Sequence, residues 1–182
     1  MARVNLLQKK DDLAPEHQPV FDAIAQSRGR VGGPFAVLLH SPQVAGRTAH
    51  LGTYLRFEST LSPKDTELVI ITTSREFDCE LEWGGHVALA RQAGAREEAI
   101  AAIRDRHAPQ GLTPEEALIV SYVQQLLRAH RVSEATYLAM QERFGVQGLV
   151  ELTATIGYYG MLACSLNAFA VEPAAGAERL PV

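Results

Sequence analysis

The chain has 182 residues, of which 47% are hydrophobic and 21% are charged. This length and composition are enough for one domain with its own apolar core, without disulfides or a structural metal, so we expect a single domain over residues 1–182. The net charge is −4 and the arginines are scattered along the chain, which gives no basic stretch suited to nucleic acid. We therefore expect a small-molecule or protein partner.

The sequence also bears on location and redox chemistry. The first ten residues, MARVNLLQKK, become charged before an apolar run develops, and no uninterrupted apolar stretch approaches the length of a membrane span. We expect a cytoplasmic protein with no membrane association. The two cysteines, Cys79 and Cys164, are far apart, and a cytoplasm would keep them reduced, so either matters through its reactivity.

Apolar residues recur with a period near 3.6, which predicts an all-α fold. The N-terminal part, 1–60, is read as a helical extension, with a helix over 15–28 and two shorter pieces around Ser41-Pro42. A buried helix is predicted to begin at Ser62, because serine, Pro63 and Asp65 supply an N-cap, a proline at the first helical position and an acid in the first turn.

The second half predicts further helices. Asp78 is expected to cap a helix that runs to about Gly94 and carries Cys79 in its first turn. A short amphipathic helix follows over 95–104, and Thr113 with Glu116 forms a capping box for a helix to about residue 130. Helices over 133–144 and 148–170 complete the pattern, with Cys164 packed in the last one, and the tail over 173–182 is expected to fray.

Cys79, Glu82 and His86 stand at positions i, i+3 and i+7, so on one helix their side chains share a face. Glu82 and His86 are within reach of each other as an acid/base pair. The positive end of the helix dipole would favour the thiolate of Cys79. Glu67, on the preceding helix, is expected to face the same pocket.

Each of these residues also has a plainer interpretation. A glutamate and a histidine four residues apart often form only a solvated pair, and a lone cysteine such as Cys79 is often a small buried hydrophobe. Glu67 alone suggests a capping or surface acid. Cysteine, glutamate and histidine also ligate zinc or iron, but the sequence has no Glu-x-x-His or His-x-x-x-His spacing, so we expect no metal site. We also expect no cofactor.

The segments 61–68 (LSPKDTEL) and 78–94 (DCELEWGGHVALARQAG) resemble the core motif of the carboxymuconolactone decarboxylase / alkylhydroperoxidase D (AhpD)-like superfamily, with the motif core over about 61–104. Members of the AhpD type carry a glutamate, a Cys-x-x-Cys at a helix start and a histidine four residues after the second cysteine. Glu67, Cys79 and His86 match three of these places. Glu82 occupies the place of the second cysteine.

The resemblance implies a bacterial AhpD-like helical bundle that assembles as a homo-oligomer, with Glu67, Cys79, Glu82 and His86 in the catalytic site. Because Glu82 replaces the cysteine that would resolve a sulfenic acid, the decarboxylase branch is favoured. We expect a lyase in which His86, oriented by Glu82 and assisted by Glu67, handles protons on a small carboxylated or lactone substrate. Two alternatives remain: a thiol-dependent peroxidase with peroxiredoxin-type activity through Cys79, and a non-catalytic oligomeric scaffold.

Overall fold

The computed structural model describes residues 1–181 and confirms the all-α fold, since no strand occurs among those residues. Eight α-helices follow one another: α1 (Gln18–Arg28), α2 (Pro34–Leu38), α3 (Pro42–Thr53), α4 (Pro63–Glu76), α5 (Glu80–Gln92), α6 (Glu97–Arg104), α7 (Pro114–Gln124) and α8 (Glu134–Ala168). Short 3₁₀ turns, Lys10–Asp12 and Pro15–His17, precede α1. Helices α3 and α7 each continue into a π-helical turn, Tyr54–Glu58 and Gln125–Ala129.

Helix α4 lies at the centre of the fold and packs against α5, α7 and α8. Its residues from Leu68 to Ile71 have no exposed surface, so the run of four apolar residues is buried all round. The predicted caps at Ser62 and Thr113 are confirmed. The Ser62 hydroxyl accepts a hydrogen bond from the Asp65 N–H at 3.1 Å, and Thr113 and Glu116 form the expected capping box. A side-chain cap of this kind typically stabilises a helix by about 1 kcal/mol.

Helix α8 combines the two predicted C-terminal helices, with a break at Gly145, whose φ of 66° and ψ of 176° are not helical. A positive φ is accessible to glycine without the penalty that a Cβ imposes, so the chain changes direction there. Helix α8 is the one helix within residues 1–181 that is long and apolar enough, by length and composition, to cross a membrane. However, 61% of its most apolar window is buried inside the fold, as in the core helix of a globular protein.

The expectation of a frayed tail is wrong for the described residues 173–181. Leu180 is only 6% exposed and belongs to the main apolar core. Glu178 forms an ion pair with Arg91 of α5 at 2.8 Å. A side chain at Gly84 would come within 3.1 Å of the Glu178 carbonyl oxygen, so the tail lies directly on α5. The alanine-, glycine- and proline-rich composition therefore marks an irregular segment that is nevertheless packed.

Candidate active site

The turn between α4 and α5 sets the geometry of the site. Asp78 has a left-handed φ of 48° and precedes the cap position, which Cys79 occupies, so Asp78 is not the N-cap that the sequence predicted. Arg75 and Arg106 both pair with the Asp78 carboxylate, and Asn167 of α8 donates a hydrogen bond to the Phe77 carbonyl oxygen at 2.8 Å. These contacts fix a short turn, which lays α5 directly against α4.

His86 of α5 lies between two carboxylates. Its Nδ1 atom is 2.8 Å from Oε2 of Glu67 on α4, and its Nε2 atom is 3.4 Å from Oε2 of Glu82, one helical turn before it. The edge of the imidazole meets the ring of Tyr159 at a centroid distance of 5.1 Å. All three ionisable residues are buried, with exposures of 9% for Glu67, 4% for Glu82 and 8% for His86. The structure thus brings together three of the four predicted site residues.

Glu82 and His86 line a pocket of about 210 Å³. This is smaller than the clefts of about 300–1,000 Å³ that hold drug-sized ligands, so the pocket suits a small molecule. Tyr158 and Tyr159 form part of its wall. Glu67 lies behind His86 and lines an adjoining pocket that shares Arg56 and Leu89 with the first.

Glu82 is the most perturbed acid in the site. Burial raises its pKa, and the nearby charges of His86 and Arg56 only partly oppose that effect. Its Oε1 atom is buried and has no hydrogen-bond partner within residues 1–181. Glu82 therefore holds a proton more readily than an exposed glutamate and has one oxygen free to contact a molecule in the pocket.

Cys79 does not join the other three residues. Its side chain has no exposed surface and lies in a separate apolar cluster with Val37, Ala163 and Leu166. Burial raises the pKa of the thiol to about 11, which is the opposite of the shift expected from the helix dipole. Removal from water thus outweighs the favourable position at the helix start. Cys164, expected to be packed, is instead exposed on α8.

Sequence reasoning missed the arginines of the pocket. Arg28, at the end of α1, and Arg30, just after it, line the wall together with the glycines and Phe35 that follow. Arg56 reaches the pocket from the π-helical turn after α3. The close spacing of Arg28 and Arg30 before a glycine-rich break was the available signal, but nothing local indicates that this segment folds over α5.

The comparisons with known proteins agree with the fold and with the motif. Residues 42–125 match the model of the carboxymuconolactone decarboxylase family. A solved AhpD-core structure, an uncharacterized peroxidase-related protein from Ralstonia eutropha JMP134, has a TM-score of 0.78 at 16% identity, covering 96% of this chain and 93% of that one. A peroxidase-related protein from Silicibacter sp. TM1040 has a TM-score of 0.75 at 18% identity, covering 99% and 96%.

A third similar structure is a cysteine-to-alanine variant of the debrominase Bmp8 in complex with 2,3,4-tribromopyrrole. Its TM-score is 0.74 at 13% identity, covering 96% of this chain and 95% of that chain. No curated protein matches the chain at a significant level. At these identities the solved structures establish the fold, which is that of the AhpD-like helical proteins.

The fold and site define an all-α protein with a histidine held between glutamates on two adjacent helices. Residues 42–125 match the carboxymuconolactone decarboxylase family, and the described residues share the fold of the AhpD-like proteins, so both findings support the resemblance seen in the sequence.

Proposed function

We propose that this protein is a carboxymuconolactone decarboxylase-like enzyme that acts on a small carboxylated or lactone substrate through acid/base chemistry at His86. The observation that carries the proposal is the position of the imidazole, 2.8 Å from Glu67 on one side and 3.4 Å from Glu82 on the other, beside a small pocket. A buried imidazole with a carboxylate at each nitrogen is both oriented and supplied with a proton-exchange partner.

The two glutamates have different roles in the proposal. The Glu67 carboxylate accepts the Nδ1–H of His86, which directs Nε2 toward Glu82. Because burial raises the pKa of Glu82, a proton is shared readily between Glu82 and Nε2. Glu82 and His86 line the pocket and form its proton donor, whereas Glu67 is a positioning residue that stabilises the imidazolium.

The proposed reaction is a decarboxylation. The bond between the substrate carbon and its carboxylate breaks, carbon dioxide leaves, and the electron pair passes into a conjugated carbonyl of the substrate. A proton from the His86 and Glu82 pair then forms the new C–H bond, and solvent returns a proton to the pair. The net change is a carboxylate and one proton converted to carbon dioxide and a C–H bond, with no oxidant or reductant.

The position of Cys79 favours this proposal over the peroxidase alternative. A peroxidatic cysteine needs access and a thiolate, whereas the Cys79 side chain is fully buried and burial raises its pKa to about 11. Resolution of a sulfenic acid would then fall to Cys164 or to an external thiol. A scaffold without chemistry is the third possibility, and substrate turnover separates it from the other two.

The test is a paired assay with carboxylated γ-lactones and with hydroperoxide plus thiol. His86→Gln should lower lactone turnover by about 10²-fold or more, whereas Cys79→Ser should have a mild effect. The exposed His107 provides a matched control for the histidine substitution as His107→Gln. Peroxide turnover that disappears in Cys79→Ser, with a trapped disulfide between the two cysteines, would establish the peroxidase instead. No turnover of any substrate in either assay would favour the scaffold.

A further inference from the structure

The pocket beside His86 carries an unbalanced positive charge. Three arginines line it, Arg28, Arg30 and Arg56, against one carboxylate, Glu82. None of the three forms an ion pair within residues 1–181, although eight other arginines of this part of the chain do: Arg75, Arg91, Arg96, Arg104, Arg106, Arg128, Arg143 and Arg179. The pocket therefore gathers three arginines whose charges no carboxylate of the described residues pairs with.

Arg28 is held in place by neutral groups only. Its guanidinium donates hydrogen bonds to the Ser27 hydroxyl at 2.9 Å and to the Ala49 carbonyl oxygen at 3.3 Å. The same group stacks on the ring of Phe35, with its central carbon 4.4 Å from the ring centroid. These contacts fix the orientation of the side chain and leave its charge uncompensated. A half-buried guanidinium with a fixed orientation and an unpaired charge can bind an anion. A carboxylate fits it well, because its two oxygens can accept hydrogen bonds from two parallel N–H donors.

A second, independent observation points to a ligand. Glu82, only 4% exposed, lines the same pocket with its Oε1 atom buried and unpartnered within the described residues. A buried polar atom without a partner costs about 1–3 kcal/mol, so such atoms in folded proteins generally have a role. Arg56 is close enough to act electrostatically on Glu82, which leaves Arg28 and Arg30 as the charges free for an incoming anion.

We propose that Arg28 and Arg30 form a carboxylate subsite that anchors an anionic end of the substrate, while the reacting end faces Glu82 and His86. The inference rests on the proposed function and names the group by which the substrate is recognised. Both arginines precede the matched family region, 42–125, so this specificity arises from the N-terminal part of this chain. The small volume of the pocket limits the ligand to a compact mono- or dicarboxylate.

The test measures binding of unreactive anions by calorimetry, independently of turnover. The probes are glutarate, monomethyl glutarate, dimethyl glutarate and inorganic phosphate, titrated into the wild type and into Arg28→Lys, Arg30→Gln and Arg131→Gln. Arg131 is exposed in the loop before α8 and lines none of the pockets beside His86, so Arg131→Gln matches the charge change of Arg30→Gln. Arg28→Lys removes the paired N–H donors of the guanidinium. Because it keeps the positive charge, its effect on folding is expected to be small.

Glutarate should bind the wild type and the Arg131→Gln protein equally, and the diester should not bind. Arg30→Gln and Arg28→Lys should each weaken glutarate binding by about tenfold, the effect of losing one charge-assisted contact. Equal glutarate affinity in Arg30→Gln and Arg131→Gln, or a preference for phosphate over glutarate, would overturn the carboxylate subsite. His86→Gln should still bind glutarate, so a failed acid/base proposal would show in turnover and not in this binding series.

Discussion

The Nδ1 atom of His86 lies 2.8 Å from Oε2 of Glu67, a contact between side chains 19 positions apart on two neighbouring helices. Both side chains are buried, so solvent screens the interaction weakly. A carboxylate in this position fixes the tautomer of a neutral imidazole and stabilises its protonated form. The contact therefore joins the imidazole of His86 to the negative charge of Glu67.

Glu67→Gln tests that link, because the glutamine carbonyl can still accept the Nδ1–H while the negative charge is lost. Turnover of a carboxylated lactone should fall by about tenfold, less than the roughly 10²-fold loss expected from removing the imidazole. Steady-state rates measure the effect. Glu142→Gln, an exposed glutamate on α8, is the control, and turnover in Glu67→Gln equal to that of the wild type would remove Glu67 from the mechanism.

Glu82→Gln should change stability in a pH-dependent way. Burial raises the pKa of Glu82 in the folded state, so folding favours its protonated form. As pH rises from the unfolded value near 4.5 through the raised folded value, the native protein must ionise this buried acid and loses stability. The Tm of Glu82→Gln minus that of wild type should therefore increase between pH 5 and pH 8. The increase should be about 2–4 °C for each kcal/mol by which the free energy of unfolding of the wild type falls. Thermal unfolding at the two pH values measures this, and the same difference at both would show that burial does not perturb Glu82.

The cysteines should differ in reactivity. Cys79 is fully buried and burial raises its pKa to about 11, whereas Cys164 is exposed on α8. Maleimide at pH 7.5 and low protein concentration should label Cys164 and leave Cys79 unmodified until the protein is unfolded. Peptide mass spectrometry identifies the labelled residue. Labelling of native Cys79 before Cys164 would contradict this and would revive the peroxidase alternative.

Local rules predicted much of the fold and part of the site. The caps at Ser62 and Thr113 depend on residues three positions apart, and the short turn after α4 was enough to bring Glu67 beside His86. The pairing of Glu82 with His86 followed from their spacing of four residues along α5.

Predictions that depended on distant packing were the ones that failed or were missing. The thiolate expected at Cys79 rests on the helix dipole, but Ala163 and Leu166 of α8 bury the thiol, and the cost of desolvation exceeds the dipole effect. Arg28 lines the pocket because the N-terminal segment faces the same pocket as α5, and no local pattern in the sequence indicates that arrangement. Leu180 is packed although the composition of its segment is that of a loose tail.

The expected homo-oligomer stays a prediction, and α8 offers a surface for it. Between Arg143 and Glu172 the only charged residue is Glu151, which is buried, so the exposed side of this helix has no charge over residues 144–171. The outward-facing positions alternate in steps of four and three, as in the seam between two paired helices: Val150, Ala154, Gly157, Met161, Cys164 and Ala168. Small residues in that seam allow two helices to approach closely, which favours a second copy of this chain over lipid as the covering partner.

Met161→Lys places a charge in the middle of this seam, where Met161 is 39% exposed in the single chain. The variant should keep its helical circular dichroism spectrum and elute at the mass of one chain, 19.8 kDa, while the wild type elutes as an oligomer. Leu51→Lys, which places the same charge at an exposed apolar position on α3, is the control and should elute like the wild type. Labelling of Cys164 gives a second readout. In the wild type, the labelling rate should fall as protein concentration increases, because pairing of two copies would cover Cys164. In Met161→Lys, the rate should not depend on protein concentration. A wild type that is monomeric at micromolar concentration, or an oligomer that Met161→Lys leaves intact, would show that α8 is not the contact between copies.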